Sequence, residues 1–252
     1  MRHSITFSLG KYQISINYWL FILFLLFQTL LNELGYWQLD RAKEKNHRIM
    51  LLKSSASQLV TDFSKITQDD LVRFSPVRFD AFLSDDNTYL IENKIQNGNL
   101  GYHVLNLITE KSTGRNIFVN RGWINAKANR ENLPKVTNPP FDWTILGRIY
   151  PINQDILSSA AVIEQFDQVY RLPVMDVGIL TKLEEKLGRK IEPFLIRLDK
   201  NQDNSFEIDW QWISMLPEKH LAYAFQWFAL AFTLLIISVI ASLKRKDNNN
   251  LA

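Results

Sequence analysis

The chain contains no cysteine. Disulfides, thiolate metal sites and cysteine nucleophiles are therefore excluded. The compartment stays open, because proteins on either side of a membrane can lack thiols. Also missing are a nucleophile elbow, an HExxH helix and a paired-carboxylate signature. Gly98-Asn99-Leu100-Gly101 has the glycine spacing of a phosphate cradle but reads as a turn. Histidine is scarce: His3, His47, His103 and His220. None stands four residues from another on a helix, which argues against zinc chemistry. Charge of one sign is not concentrated either. The net charge is +3, with basic residues interleaved among acids, so no stripe for nucleic acid forms. There is no internal repeat, and low complexity is confined to Asn248-Asn249-Asn250. These absences point away from an enzyme and from a nucleic-acid binder.

Two long stretches lack charge, and they bracket everything else. The first runs from Tyr18 to Leu31 and extends through Leu34-Gly35-Tyr36-Trp37-Gln38-Leu39. A helix crossing the hydrocarbon core needs roughly 20 residues, which residues 16–39 supply. Tyr18 and Trp19 at one end and Tyr36 and Trp37 at the other suit the two interfacial belts. A cleaved signal peptide is the rival reading, but no small-x-small site follows the run. The second span covers residues 220–243 and ends in Lys244-Arg245-Lys246.

Orientation rests on competing basic clusters. Lys244, Arg245 and Lys246 place the C-terminus in the cytoplasm, with Arg2 and Lys11 of the N-terminus beside it. Arg41, Lys43, Lys45 and Arg48 crowd the opposite end of the first span and argue the reverse. The C-terminal cluster, offset only by Asp247, is given the greater weight. Residues 1–15 and 244–252 are then cytoplasmic, and residues 40–219 form an extracytoplasmic domain.

Within that domain, Arg41 to Lys53 continues the first helix, with charges at helical spacing. Ser54 to Ser75 is polar and irregular or partly helical. From Pro76 the pattern changes to period two. Strands are predicted over residues 77–83, 88–93, 101–108, 116–123, 142–149 and 193–198. Turns fall at Asp85-Asp86-Asn87, Asn97-Gly98-Asn99 and Lys111-Ser112-Thr113-Gly114. One helix begins at Met175 or Asp176 and ends at Leu187, with Asp176 as N-cap and Gly188 as stop. The fold class is an α+β membrane protein. Two transmembrane helices flank a mainly antiparallel β domain with one or two helices of its own.

Candidate chemistry gathers at the start of the second span. On a helix, His220, Tyr223, Ala224, Trp227, Phe228 and Ala231 share one face. An imidazole above a flat apolar surface suits a porphyrin with an axial histidine. An interfacial His and Tyr hydrogen-bonded to lipid headgroups fit the same residues. On the first helix, Glu33, Trp37, Asp40, Arg41 and Glu44 share a face. A carboxylate as deep as Glu33 needs a partner, with His220 or Lys219 as candidates, unless it snorkels to water. Asn120-Arg121-Gly122-Trp123 ends a strand, where Gly122 supplies a turn or bulge and Arg121 holds an acid or a carbonyl. Trp210 and Trp212 are placed on the membrane surface.

Taken together, these segments resemble the Surfeit locus protein 1 family, membrane proteins that assist assembly of cytochrome c oxidase. The resemblance rests on Leu34-Gly35-Tyr36-Trp37-Gln38-Leu39-Asp40-Arg41, Pro76-Val77-Arg78-Phe79, Gly101-Tyr102-His103-Val104-Leu105, Asn120-Arg121-Gly122-Trp123-Ile124 and the run from His220 to Phe228. It covers nearly the whole chain. It implies a non-enzymatic role in maturing the haem-bearing oxidase subunit, in a cell inner membrane with the β domain in the periplasm. It further implies haem A as a cofactor, with His220 as axial ligand. Tyr223, Trp227 and Trp37 would lie along the plate, and Arg41 or Lys219 would pair with propionates. Glu218-Lys219 departs from the asparagines that the family often shows there. The alternative is a scaffold for oxidase assembly that binds no cofactor, and a membrane-anchored enzyme ranks behind both.

Overall fold

The computed structural model describes residues 4–9, 12–126, 133–154 and 162–245. Arg2, His3, Lys11, Lys246, Asp247 and the Asn248–Asn250 tract, which entered the sequence arguments, lie outside the described residues. In chain order, a hairpin of β1 (Ser4–Leu9) and β2 (Tyr12–Asn17) leads into helix α1 (Tyr18–Ser55). A short helix α2 (Gln68–Arg73) is followed by β3 (Pro76–Leu83), β4 (Thr88–Gln96), β5 (Asn99–Glu110) and β6 (Asn116–Asn125). Then come β7 (Asp142–Pro151), β8 (Glu164–Phe166), β9 (Val169–Leu172), α3 (Val177–Leu187) and β10 (Ile191–Leu198). Helix α4 (Pro217–Ser242) and β11 (Leu243–Arg245) close the chain. The chain forms two compact units, residues 1–49 with 213–252, and residues 50–212.

The first unit is a pair of long apolar helices. Asn17 starts α1 by accepting hydrogen bonds from the backbone of Trp19 (3.0 Å) and Leu20 (3.4 Å), as an N-cap does. Pro217 starts α4, where its missing N–H costs nothing. Both helices are long and apolar enough to cross a membrane. As the charge spacing suggests, α1 does not stop at Leu39 but runs on to Ser55. The unit also holds a small sheet that the sequence did not announce. Strand β2 pairs with β1 on one side and with β11 on the other. The start of α1 and the end of α4 are thereby joined, and the two helices run antiparallel.

The second unit is a closed, mixed β-barrel. Its ring runs β3-β7-β10-β6-β5 and returns to β3. Closure depends on the length of β5. Its first half pairs with β4, with Tyr89 opposite Leu105, and its last residues pair with β3, with Leu83 opposite Ile108. Beyond β4 the sheet continues through β9 to β8. The expectation of a mainly antiparallel sheet needs adjusting, because β6–β10 and β4–β9 pair in parallel.

Alternate residues of a strand face opposite sides, and here both sides are buried. On β6, Ile117 and Val119 join Val77, Ile145 and Ile196 in a cluster drawn from all five ring strands. Phe118, between them, faces a second cluster with Tyr89, Leu105 and Leu195. Helix α3 covers that outer face with Ile179, Leu180 and Leu183. It is capped as predicted: Asp176 accepts from the Ile179 amide at 2.9 Å, and Gly188 ends it.

Candidate functional site

The helix pair of the first unit brings together residues that are distant in sequence. On α1, Gly35 and Ala42 are buried with Gln38 between them on the same face. On α4, Pro217, His220, Ala224 and Ala231 are buried at spacings of three, four and seven. Small residues at such a seam let two helices approach closely. The Phe228 ring fills the space left by Gly35, where an added Cβ would lie 2.6 Å from the ring. Tyr36 meets the same ring edge-on, with centroids 5.3 Å apart.

His220 sits inside this seam, 6% exposed. Its Nδ1 lies 2.7 Å from Oε1 of Gln38. The amide oxygen can only accept, so Nδ1 carries the proton and donates. Nε2 is then the nitrogen with the lone pair, and it is buried with no hydrogen-bond partner. A buried polar atom left without a partner calls for an explanation. The hydrogen bond to Gln38 thus fixes the ring in the tautomer that leaves the Nε2 lone pair unused.

The other expected site residues divide. Trp227 is half-buried on α4, while Tyr223 is exposed, off the packed face. Trp37 is also exposed, with the Arg41 guanidinium 5.7 Å from its ring centroid. Arg41 is tied to Glu44 at 2.6 Å, and Glu44 also holds Arg48 at 2.8 Å. This charged face is left uncovered by the rest of the protein. Glu33 is exposed on it, so the α1 partner of His220 is Gln38, not Glu33. The missed signal was the small-residue spacing of Gly35 and Ala42, which marks the packed face and carries Gln38 with it.

The Asn120-Arg121-Gly122-Trp123 segment proves to be a structural fixture of the β unit. Gly122, at φ 120°, sits in a bulge where β6 carries one residue more than β5 between His103 and Leu105. The buried Arg121 then turns to three neutral oxygens: Asn106 Oδ1 (2.9 Å), the Thr137 carbonyl (2.9 Å) and the Asn204 carbonyl (2.8 Å). Trp210 and Trp212, expected at the membrane surface, are half-buried, with Trp210 packed on His103 and Arg197, and Trp212 on Phe74 and Tyr150.

Comparison with known proteins agrees with the layout. The model of the SURF1 family matches residues 25–232, from inside α1 to inside α4. A SURF1-like protein of Rickettsia conorii is 27% identical, aligned over 87% of this chain and 89% of its own length. Another, from Rickettsia bellii, is 28% identical over 81% of this chain and 83% of its own. A third, from Rickettsia prowazekii, is 28% identical, with 84% of each chain aligned.

Proposed function

The chain belongs to the SURF1 family, and on that premise we propose that it is a membrane-anchored biogenesis factor for cytochrome c oxidase. It holds haem A as cargo for the haem-bearing oxidase subunit and acts as a carrier, not as an enzyme. Both long helices span the inner membrane. Their flanks support this: Leu20, Leu26, Phe225, Phe232 and Ile240 are largely uncovered, a surface suited to lipid. The β unit lies on the periplasmic side, by the orientation argument from Lys244 and Arg245.

The observation that carries the reading is the His220 ring. Gln38 fixes its tautomer, and Nε2 presents an unused lone pair on a buried face. That is the donor an axial haem ligand requires. Trp227 and Tyr223, within two turns of it, offer flat apolar surface. Lys219 is the cation available to propionates, and Arg41 would first have to leave Glu44. A carrier must also release its load, and a single protein ligand keeps affinity modest.

A spectrum of the full-length protein, purified from cells that make haem A, tests this. The parent shows a Soret band and His220→Ala loses it, whereas Gln38→Leu weakens it by removing the tautomer lock. If His220→Ala retains haem as well as the parent, the site assignment fails. A second reading has its own support: the His220–Gln38 hydrogen bond and the Gly35–Phe228 contact also fasten two helices together. In that case the chain is a cofactor-free scaffold. Colourless protein that copurifies with the oxidase subunit favours it.

A further inference from the structure

The β unit carries a cleft of about 330 Å³ that the haem reading does not use. Lys94, His103 and Arg197 line it, with Asp209 as the one carboxylate on its wall. The three basic groups arrive from β4, β5 and β10. A bulge in β4, where two residues between Ile91 and Lys94 oppose only Tyr102, turns Lys94 toward the cleft. Trp210 stands between the other two. Its ring centroid is 5.3 Å from that of His103 and 4.9 Å from the Arg197 guanidinium carbon. Arg197 also lies 3.3 Å over the Tyr150 ring. Its Nε is buried and has no hydrogen-bond partner.

Like charges brought together with only one acid on the wall destabilise the free protein. The effect shows in His103 and in Lys94. Burial, then the charges of Lys94 and Arg197, holds His103 down to about 3. Burial, then Arg197, lowers Lys94. Burial lowers Arg197, although Tyr150 works in the opposite direction. An anion in the cleft would relieve this repulsion.

We propose that this cleft binds a phosphate group, with Arg197 and Lys94 as the charged donors and His103 as a further one. Phosphate fits better than a carboxylate. Donors converging from three strands need an acceptor with oxygens in several directions, and a carboxylate offers one plane. The cleft is also larger than a carboxylate needs. The phosphate has two possible sources, a lipid headgroup or a soluble ion. Along the chain, residues 211–216 separate Trp210 from Pro217, the first residue of α4.

Calorimetry on the full chain in neutral detergent micelles separates the outcomes. The probes are inorganic phosphate and dihexanoyl phosphatidylglycerol at pH 7. Saturable one-site binding of at least one probe is expected. Lys94→Gln and Arg197→Gln each weaken it tenfold or more, and Lys200→Gln, which removes the same charge from an exposed position, leaves it unchanged. Tighter binding of the lipid assigns the site to a headgroup, and equal or tighter binding of free phosphate to a soluble ion. If Arg197→Gln fails to fold, Lys94→Gln decides. The proposal is overturned by the absence of saturable binding, by acetate competing as well as phosphate, or by Lys200→Gln weakening binding as much as Lys94→Gln. No arm involves haem, so failure here leaves the His220 reading intact.

Discussion

Arg121 carries a charge into the interior of the β unit, and among the described residues no carboxylate pairs with it. Only 3% of it is exposed. Burial lowers its pKa to about 10, so it stays charged at neutral pH. Three neutral oxygens and the Phe206 ring, 4.7 Å from the guanidinium carbon, take the place of a counter-ion. Those oxygens belong to β5 and to two loops, so one side chain ties three segments together. Arg121→Met would leave Asn106, Thr137 and Asn204 without their donor. Each unsatisfied buried group costs about 1–3 kcal/mol, so the loss should be about 3 kcal/mol or more. Arg121→Lys keeps the charge but not the fork, and should fall between. Urea denaturation of the β unit measures both, and an Arg121→Met midpoint equal to the parent's would refute the anchor.

His103 gives the same unit a pH dependence. Its folded pKa is near 3, against about 6.5 for an unperturbed histidine. Between these values the unfolded chain binds a proton that the folded chain does not. Stability is therefore fully present above about pH 6.5 and falls as the solution is acidified, approaching ~1 kcal/mol per pH unit. Carboxylates held by hydrogen bonds, such as Glu110, have lowered pKa values and contribute only at more acid pH. The interval from pH 6.5 to 5 thus isolates the histidine. The denaturation midpoint should drop across it in the parent and stay nearly flat in His103→Gln, and a flat parent profile would contradict the account.

At the scale of elements, the helix pair turns on Gly35. A larger side chain there meets the Phe228 ring, and displacing that ring opens the seam that holds His220 against Gln38. Because the chain is cysteine-free, spin labels can be placed at Leu30→Cys and Leu235→Cys, both on exposed flanks. The parent should give one narrow interhelical distance and Gly35→Ile a broad or longer distribution. An unchanged distribution would show that the close contact is dispensable.

What the sequence revealed about these elements follows from the range of the forces involved. The length of α1, the caps of α3 and the turns between β4, β5 and β6 are local, and were legible. Strands β8 and β9 have three and four residues, too few for alternation to register. The parallel pairings and the closure of β5 onto β3 are contacts between distant segments that leave no periodic trace. His220 stood out because it interrupts an apolar run. Gln38 did not, because the charges of α1 lie on another face, while burial follows Gly35 and Ala42.

For the whole molecule, the two units bury their apolar residues in different ways. The β unit is one continuous stretch, residues 50–212. Its two large clusters draw only on residues within that stretch, from Val60 to Ile208. Its ring of strands closes without either long helix. The helix unit is the reverse, with its apolar flanks open and its packing confined to one seam. A compact core complete within one segment should fold without the rest. Residues 50–212 expressed alone should therefore be soluble, monomeric and cooperative in urea, while the full chain should need detergent or lipid. Should the excised segment aggregate or melt without a transition, the helices contribute to folding the barrel as well as to anchoring it. Its stability loss from Arg121→Met would then have to be measured in the full chain.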